Sequence, residues 1–305
     1  MDMEDYWHNN YEVGEFGIQY LDEKLGGIAR SDLILIGARS GAGKSSIANR
    51  IFSINCNQRK CVLFSLENFD GDLYSQSVYL KYKEYSGQFW ITPRLWLMGK
   101  FKKDYDALER AEKEVKESLK SKYIITRQPE YTIQRLKDDM VKACEDDCQL
   151  MIIDHLDYVD KDNPTESDIT HMTDLMKQIR YLQDTYKVAV VAISHLRKPE
   201  NTRTKIIIPN ENEFIGSSNK AKEATIVIMF APDDDGNVAN LNDNLKRTWC
   251  CIRKNRFGGT DNKCVNLQFN RMKEEYEPGY ELHSVNYLGT ETKFIKKVEG
   301  TKDGI

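Results

Sequence analysis

The stretch from Leu33 to Asn49, LILIGARSGAGKSSIAN, restricts what this chain can fold into more than any other. Leu33 to Ile36 is an apolar run with the length and flanks of a buried strand. A loop of small residues follows, Ala38-Arg39-Ser40-Gly41-Ala42-Gly43-Lys44-Ser45. Ser46 then leads into a helical pattern that sets Ile47, Ala48, Ile51 and Phe52 on one face. Small residues let a backbone close around phosphate oxygens with its N–H groups pointing inward. The start of the helix adds partial positive charge. The segment therefore reads as a phosphate-binding loop, with Ala38 where the usual pattern has its first glycine. Lys44 is placed to reach the β- and γ-phosphates and Ser45 to hold Mg²⁺. Ala38, Arg39, Ser40, Gly41, Ala42, Gly43, Lys44, Ser45 and Ser46 are the candidate nucleotide-binding residues, with ATP and Mg²⁺ as ligands.

Three further apolar runs end on residues that carry chemistry. Cys61 to Leu66 reads as a buried strand and stops at Glu67, a carboxylate at the strand end where open α/β sheets bind ligands. Leu150 to Asp154 is apolar up to its terminal acid. A phosphate-loop nucleoside triphosphatase needs such an acid to hold Mg²⁺ opposite the loop hydroxyl, so Asp154 pairs with Ser45 as a candidate metal ligand. Val188 to Ile193 ends in Ser194-His195, a histidine placed to contact a γ-phosphate and report its loss. Arg197, Lys198, Arg203 and Lys205 follow against the single acid Glu200. This basic loop suits the backbone of single-stranded DNA, and it equally suits a solvated surface loop. Lys220, in the small-residue loop Gly216 to Lys220, joins it as a candidate DNA contact.

Between the strands, Leu108, Ala111, Val115 and Leu119 mark one amphipathic helix, and Ile133, Leu136, Met140 and Val141 a second. Met172 to Tyr186 is a third. Residues 69–101 are aromatic-rich and follow no clear period. Arg247 to Arg256 and Lys263 to Phe269, joined through Phe257-Gly258-Gly259, read as a hairpin with cations near its tip. Strands alternate with helices from residue 33 to 230, which predicts an α/β fold with a mostly parallel central sheet, helices on both faces and a C-terminal β-hairpin. The expected boundaries are a lead-in over 1–14, an ATPase domain over 15–285 and a tail over 286–305.

A chain of 305 residues accommodates one large α/β domain or two small ones. No apolar run approaches the about 20 residues of a membrane span. The acidic start MDMEDYWHNNYEVGE is unlike a targeting signal, and seven cysteines without a CxxC pair point to reduced thiols in the cytoplasm. A net charge of −4 does not advertise nucleic-acid binding, yet a few basic loops lining a channel suffice for it.

Together these residues resemble the ATPase domain of DnaB-type replicative helicases, which has a RecA-like fold. They resemble still more the helicase half of phage primase–helicases and of mitochondrial Twinkle. The likeness runs from about Gly17 to Phe269. Its motifs are the phosphate loop with the initial Ala38-Arg39, Ser65-Leu66-Glu67, Ile153-Asp154-His155-Leu156, Ser194-His195-Leu196 and Lys254-Asn255-Arg256. The resemblance implies that Glu67 activates the attacking water, His195 senses phosphate, and Lys254 and Arg256 reach the ATP of a neighbouring subunit. It implies 5′ to 3′ motion on single-stranded DNA, a homo-oligomer in the form of a hexameric ring, and a separate primase or loader. Lys254-Asn255-Arg256-Phe257-Gly258 also resembles the signature of RadA-type branch-migration ATPases. A recombination ATPase and a loader-type regulatory ATPase subunit are therefore the alternatives.

Overall fold

The computed structural model describes residues 2–9, 11–120, 122–197, 208–215, 220–233, 245–258, 261–270 and 275–300. In chain order the elements are α1 (Met3–Asn9), β1 (Glu12–Gly14), α2 (Gln19–Leu25), β2 (Ile28–Ala29), β3 (Leu33–Ala38), α3 (Lys44–Asn55), β4 (Cys61–Ser65), α4 (Asp70–Ser86), α5 (Pro93–Leu97), α6 (Tyr105–Lys120) and β5 (Tyr123–Thr126). They continue with α7 (Ile133–Glu145), β6 (Leu150–Asp154), α8 (Asp168–Tyr186), β7 (Ala189–His195), α9 (Lys220–Glu223), β8 (Ile226–Pro232), β9 (Leu245–Asn255), β10 (Lys263–Asn270), β11 (Glu275–Tyr276), β12 (Tyr280–Val285) and β13 (Thr292–Val298).

One sheet carries the fold, in the order β13-β12-β10-β9-β8-β3-β7-β6-β4-β5, with β11 paired to β10. From β8 to β5 every neighbour is parallel, and from β8 out to β13 every neighbour is antiparallel. The parallel block reads as near-continuous apolar runs because both of its faces are covered. Along β3 the side chains alternate between two cores. Ile34 and Ile36 pack with Ile47, Ala48, Ile51 and Phe52 of α3, while Leu33 and Leu35 pack with Leu136 and Met140 of α7 and Leu175 and Ile179 of α8. The period of two in a strand produces this two-sided burial.

The fold class is the expected α/β, RecA-like one, with three differences in detail. The C-terminal hairpin is part of a broader antiparallel wing, since β12 and β13 extend it beyond β10. The segment expected as a tail from 286 instead supplies β13, paired to β12 with Tyr280 opposite Val298. Its exposed Phe294 and Ile295, flanked by Lys293, Lys296 and Lys297, gave an edge strand the look of a polar tail. At the other end, residues 1–14 are more than a lead-in. β1 pairs with β2, and Val13 is fully buried. Residues 69–101 form α4 and α5, which close on α6 through Val78, Tyr79, Tyr82, Ile91, Ala107, Ala111 and Val115. Trp96 anchors α5 there, donating to Ser75 Oγ and stacking on Phe101. All seven cysteines are unpaired. No helix among the described residues is long and apolar enough to cross a membrane.

Candidate nucleotide site

The parallel strands bring β3, β4, β6 and β7 to a common carboxyl edge, and the sequence motifs lie there. After β3 the chain turns through Gly41 (φ 78°) and Gly43 (φ 81°), left-handed conformations that favour glycine. Gly43 precedes α3, whose N-terminus has no side-chain cap, so its first amides remain available to an anion.

Side chains from distant elements brace this loop. Arg39 donates through Nη2 (2.7 Å) and Nε (3.2 Å) to Glu213 Oε2. Lys246 of β9 donates to the Gly41 carbonyl at 3.0 Å. The buried Tyr276 hydroxyl of β11 donates to the Ala42 carbonyl at 2.9 Å. A Cβ at residue 43 would sit 3.4 Å from the Phe269 ring. The antiparallel wing thus supports the loop from below, and the loop's shape depends on it.

Lys44 is half-buried; burial pulls its ammonium pKa down, while the carboxylates of Glu67, Asp154 and Asp157 oppose that shift. Asp154, at the end of β6, is only 2% exposed. Burial raises its carboxyl pKa, countered in part by the hydrogen bond to Ser45 and by the neighbouring His155. Its Oδ1 is buried without a hydrogen-bond partner. An orphaned carboxylate oxygen beside a serine hydroxyl suits a hydrated Mg²⁺, which takes one or two protein oxygens and keeps several waters.

Next to Asp154, joined by a cis peptide, is the buried His155. Its Nε2 lies 3.7 Å from Glu67 Oε2, and its ring centroid 4.0 Å from that of His195. Burial, then the His155 ring and Lys44, lower the His195 pKa to about 4, so its imidazole is neutral at pH 7. Asp157, in the short helical turn after β6, lies 3.2 Å from His155 Nδ1. It accepts from the His195 backbone N–H at 2.8 Å, from Ser194 Oγ at 3.2 Å and from Lys220 Nζ at 2.8 Å. Burial favours its protonated form, but the His155 ring, the Lys220 ammonium and the His195 amide outweigh that and hold the carboxyl well below its usual range.

Ala38 to Ser46, Glu67, Asp154 and His195 therefore share one edge. Arg256 and Lys254 lie at the other. The Arg256 N–H donates to Thr225 O, and the Thr225 N–H donates to Leu33 O at the start of β3. Lys254 Nζ donates to the carbonyls of Ala221 and Lys222. Arg197 is exposed directly after β7; Lys198, Arg203 and Lys205 lie outside the described residues. Lys220 is not a DNA contact. Its side chain is fully buried and its ammonium is spent on Asp157 and Ser194 Oγ, both at 2.8 Å. Sequence reasoning missed Asp157, Glu213, Lys246 and Tyr276. Asp157, three residues beyond the strand-end acid, carried a signal; the other three are brought in only by tertiary packing.

The chain is similar to known proteins in sequence and in fold. A family model described as "DnaB-like helicase C terminal domain" matches residues 15–278. A probable replicative DNA helicase of Trieres chinensis is 25% identical over 250 residues, which cover 79% of this chain and 52% of the relative. The chain thus spans about half the length of that curated relative. Among solved structures, one described as an ATPase domain superposes with a TM-score of 0.69 at 16% identity, covering 90% of this chain and 94% of that one. A DnaB-like replicative helicase, described with its interactions with primase, superposes with a TM-score of 0.66 at 18% identity, covering 88% and 63%. A KaiC-like protein from Pyrococcus horikoshii gives 0.53 at 13% identity, covering 88% and 99%. At these identities the structural likeness speaks for the fold.

Proposed function

Since the chain belongs to the DnaB-like helicase C-terminal domain family, we propose that it is the ATP-hydrolysing motor of a ring-type replicative DNA helicase in the cytoplasm. The observation that carries this reading is the division of the chemistry between two edges of one sheet. The phosphate loop, Glu67, Asp154 and His195 stand at the carboxyl ends of the parallel strands, and Arg256 stands at the opposite ends. Such a chain completes an ATP site only by pairing head-to-tail with a second copy, and head-to-tail pairing that closes makes a ring. A hexamer is the expected size.

In this mechanism Lys44 and the amides of Gly41 to Ser45 hold the phosphates. Ser45 and Asp154 would hold Mg²⁺, which would supply charge neutralisation at the phosphate oxygens. Glu67, at the mouth of the site, orients the attacking water and takes its proton. His195 donates a hydrogen bond to the γ-phosphate from its neutral ring. Arg256 of the adjacent subunit stabilises the charge that develops on the transferred group. Arg197, two residues beyond His195, contacts the DNA backbone, with Lys198, Arg203 and Lys205 as further contacts. Translocation runs 5′ to 3′, and a primase or loader is a separate partner.

The test is ATP turnover with and without single-stranded DNA, followed by unwinding of a forked duplex with a free 5′ tail. Stimulated turnover and unwinding are expected. In a salt titration of oligonucleotide binding, Arg197→Ala should flatten the log–log slope by about 0.7 if Arg197 makes one phosphate contact. ATP binding without turnover on any DNA would reject the motor reading in favour of a loader-type subunit. Activity on branched junctions alone would favour a recombination ATPase.

A further inference from the structure

Lys220 and Asp157 form a buried ion pair that the reaction scheme above does not use. The Lys220 side chain has no solvent exposure, and that of Asp157 is 14% exposed. Taking two charges out of water is costly, and a buried pair is a weak device for stability alone. What this pair does instead is join elements. Asp157 comes from the turn after β6, Lys220 from the first residue of α9, and both reach Ser194 Oγ on β7. Asp157 also lies 3.2 Å from His155 Nδ1, and it accepts from the backbone N–H of His195 itself at 2.8 Å. A carboxylate that binds a residue's own amide fixes that residue's backbone, and with it the origin of its side chain. The Lys220 ammonium in turn fixes the carboxylate. The His195 ring, set against His155 at 4.0 Å between centroids, is thereby held toward Lys44 and the phosphate loop.

We propose that Asp157 and Lys220 are positioning residues for ATP hydrolysis: their buried ion pair, closed through Ser194, sets His195 against the γ-phosphate. The inference rests on the ATPase reading of the site and deepens it. Neither residue touches the nucleotide; each acts through His195. Because Lys220 belongs to α9, any displacement of His195 must also pull on α9, so the nucleotide state is felt at that helix.

The experiment is a mutant cycle on the full chain, read as kcat and KM for ATP in the presence of single-stranded DNA. Asp157→Asn combined with Lys220→Gln replaces the charges by a neutral hydrogen-bonding pair and avoids leaving a lone buried charge. It should lower kcat at least about 10-fold, near 1.4 kcal/mol, with KM changed less than about twofold. On a His195→Gln background the same double substitution should lower kcat by less than about twofold, because the residue it positions is already gone. Ser194→Ala, a smaller change that removes the shared hydroxyl, should show the same dependence on His195 with a smaller loss, and it keeps the test open if the double variant does not fold. Equal losses on both backgrounds would mean a general structural role and would overturn the proposal. So would a folded double variant with unchanged kcat, or a Ser194→Ala variant with no loss that depends on His195. A wild-type chain that hydrolyses no ATP would remove the functional reading and this inference together, whereas turnover without the His195-dependent loss would remove the inference alone.

Discussion

Arg256→Ala is expected to silence ATP turnover while leaving the subunit's fold and its own phosphate loop intact. The geometry sets the reason. Two backbone hydrogen bonds, Arg256 N–H to Thr225 O at 2.9 Å and Thr225 N–H to Leu33 O at 2.8 Å, tie Arg256 to the first residue of β3. The phosphate loop begins after the last residue, Ala38. Five residue steps at about 3.3 Å put about 16 Å of strand between the two, and the loop and the sheet's carboxyl edge lie beyond that. The arginine is exposed and sits at the wrong end of the sheet for its own site. If it serves a neighbour, its loss should cost a factor of about 10³–10⁵ in turnover, as for other fingers supplied in trans. That is about 4–7 kcal/mol of transition-state stabilisation. Subunits carrying Lys44→Ala are dead for the opposite reason, since they retain Arg256 and lack the loop lysine. In an equal mixture of the two, about one interface in four joins an intact Lys44 to an intact Arg256. A coupled ATPase assay across mixing ratios should therefore recover about a quarter of wild-type turnover at equal mixing, and fall symmetrically on either side. Native mass spectrometry confirms that mixed oligomers form. Inactivity at every ratio despite mixed oligomers would refute the argument, and so would an Arg256→Ala chain that turns over normally by itself.

Other expected outcomes follow from particular contacts. Lys44→Ala should abolish turnover, whereas Glu67→Gln should bind ATP and fail to hydrolyse it; wild-type hydrolysis by Glu67→Gln would move the base role to another acid. Tyr276→Phe removes a buried hydroxyl from the Ala42 carbonyl and should cost about 1 kcal/mol in urea unfolding, rising toward about 3 if that carbonyl stays unpaired; an unchanged midpoint would mean that the wing does not brace the loop. Burial, assisted by Glu15, raises the Asp22 carboxyl to about 6 against the pull of the Phe16 amide. The native state then holds a proton that the unfolded chain has released from about pH 4 upward, so Asp22 makes stability fall as pH rises toward 6. Asp22→Asn lacks that penalty, and urea midpoints of variant and wild type should diverge in the variant's favour from pH 4 to 7; a constant gap would show that Asp22 titrates as if exposed.

What could be read from the sequence, and what could not, separates along a physical line. β3, β4, β6 and β7 were legible because a strand covered on both faces must be apolar throughout; β4, β6 and β7 run into a titratable residue, and β3 runs into a loop of small residues that ends in a lysine. Those changes marked Glu67, Asp154 and His195, and the loop marked Lys44, before any contact was known. The wing beyond β10 was less legible. β13 is an exposed edge strand whose three lysines flank Phe294 and Ile295, so its composition matches a solvated tail, and only pairing with β12 distinguishes the two. Lys220 was misread for a related reason. A lysine among small polar residues carries the signature of a surface cation, and nothing nearby in the chain reveals a counter-charge 63 residues earlier. Burial of a charge is decided by its partner, and the partner here is reached only after β6, β7 and α9 have assembled. The same logic explains why the loop's braces, Glu213, Lys246 and Tyr276, left no trace in local pattern. Motif residues act where a single element ends, so the element announces them. Residues that hold a motif in place act where separate elements meet, and the sheet order has to be known before they can be found.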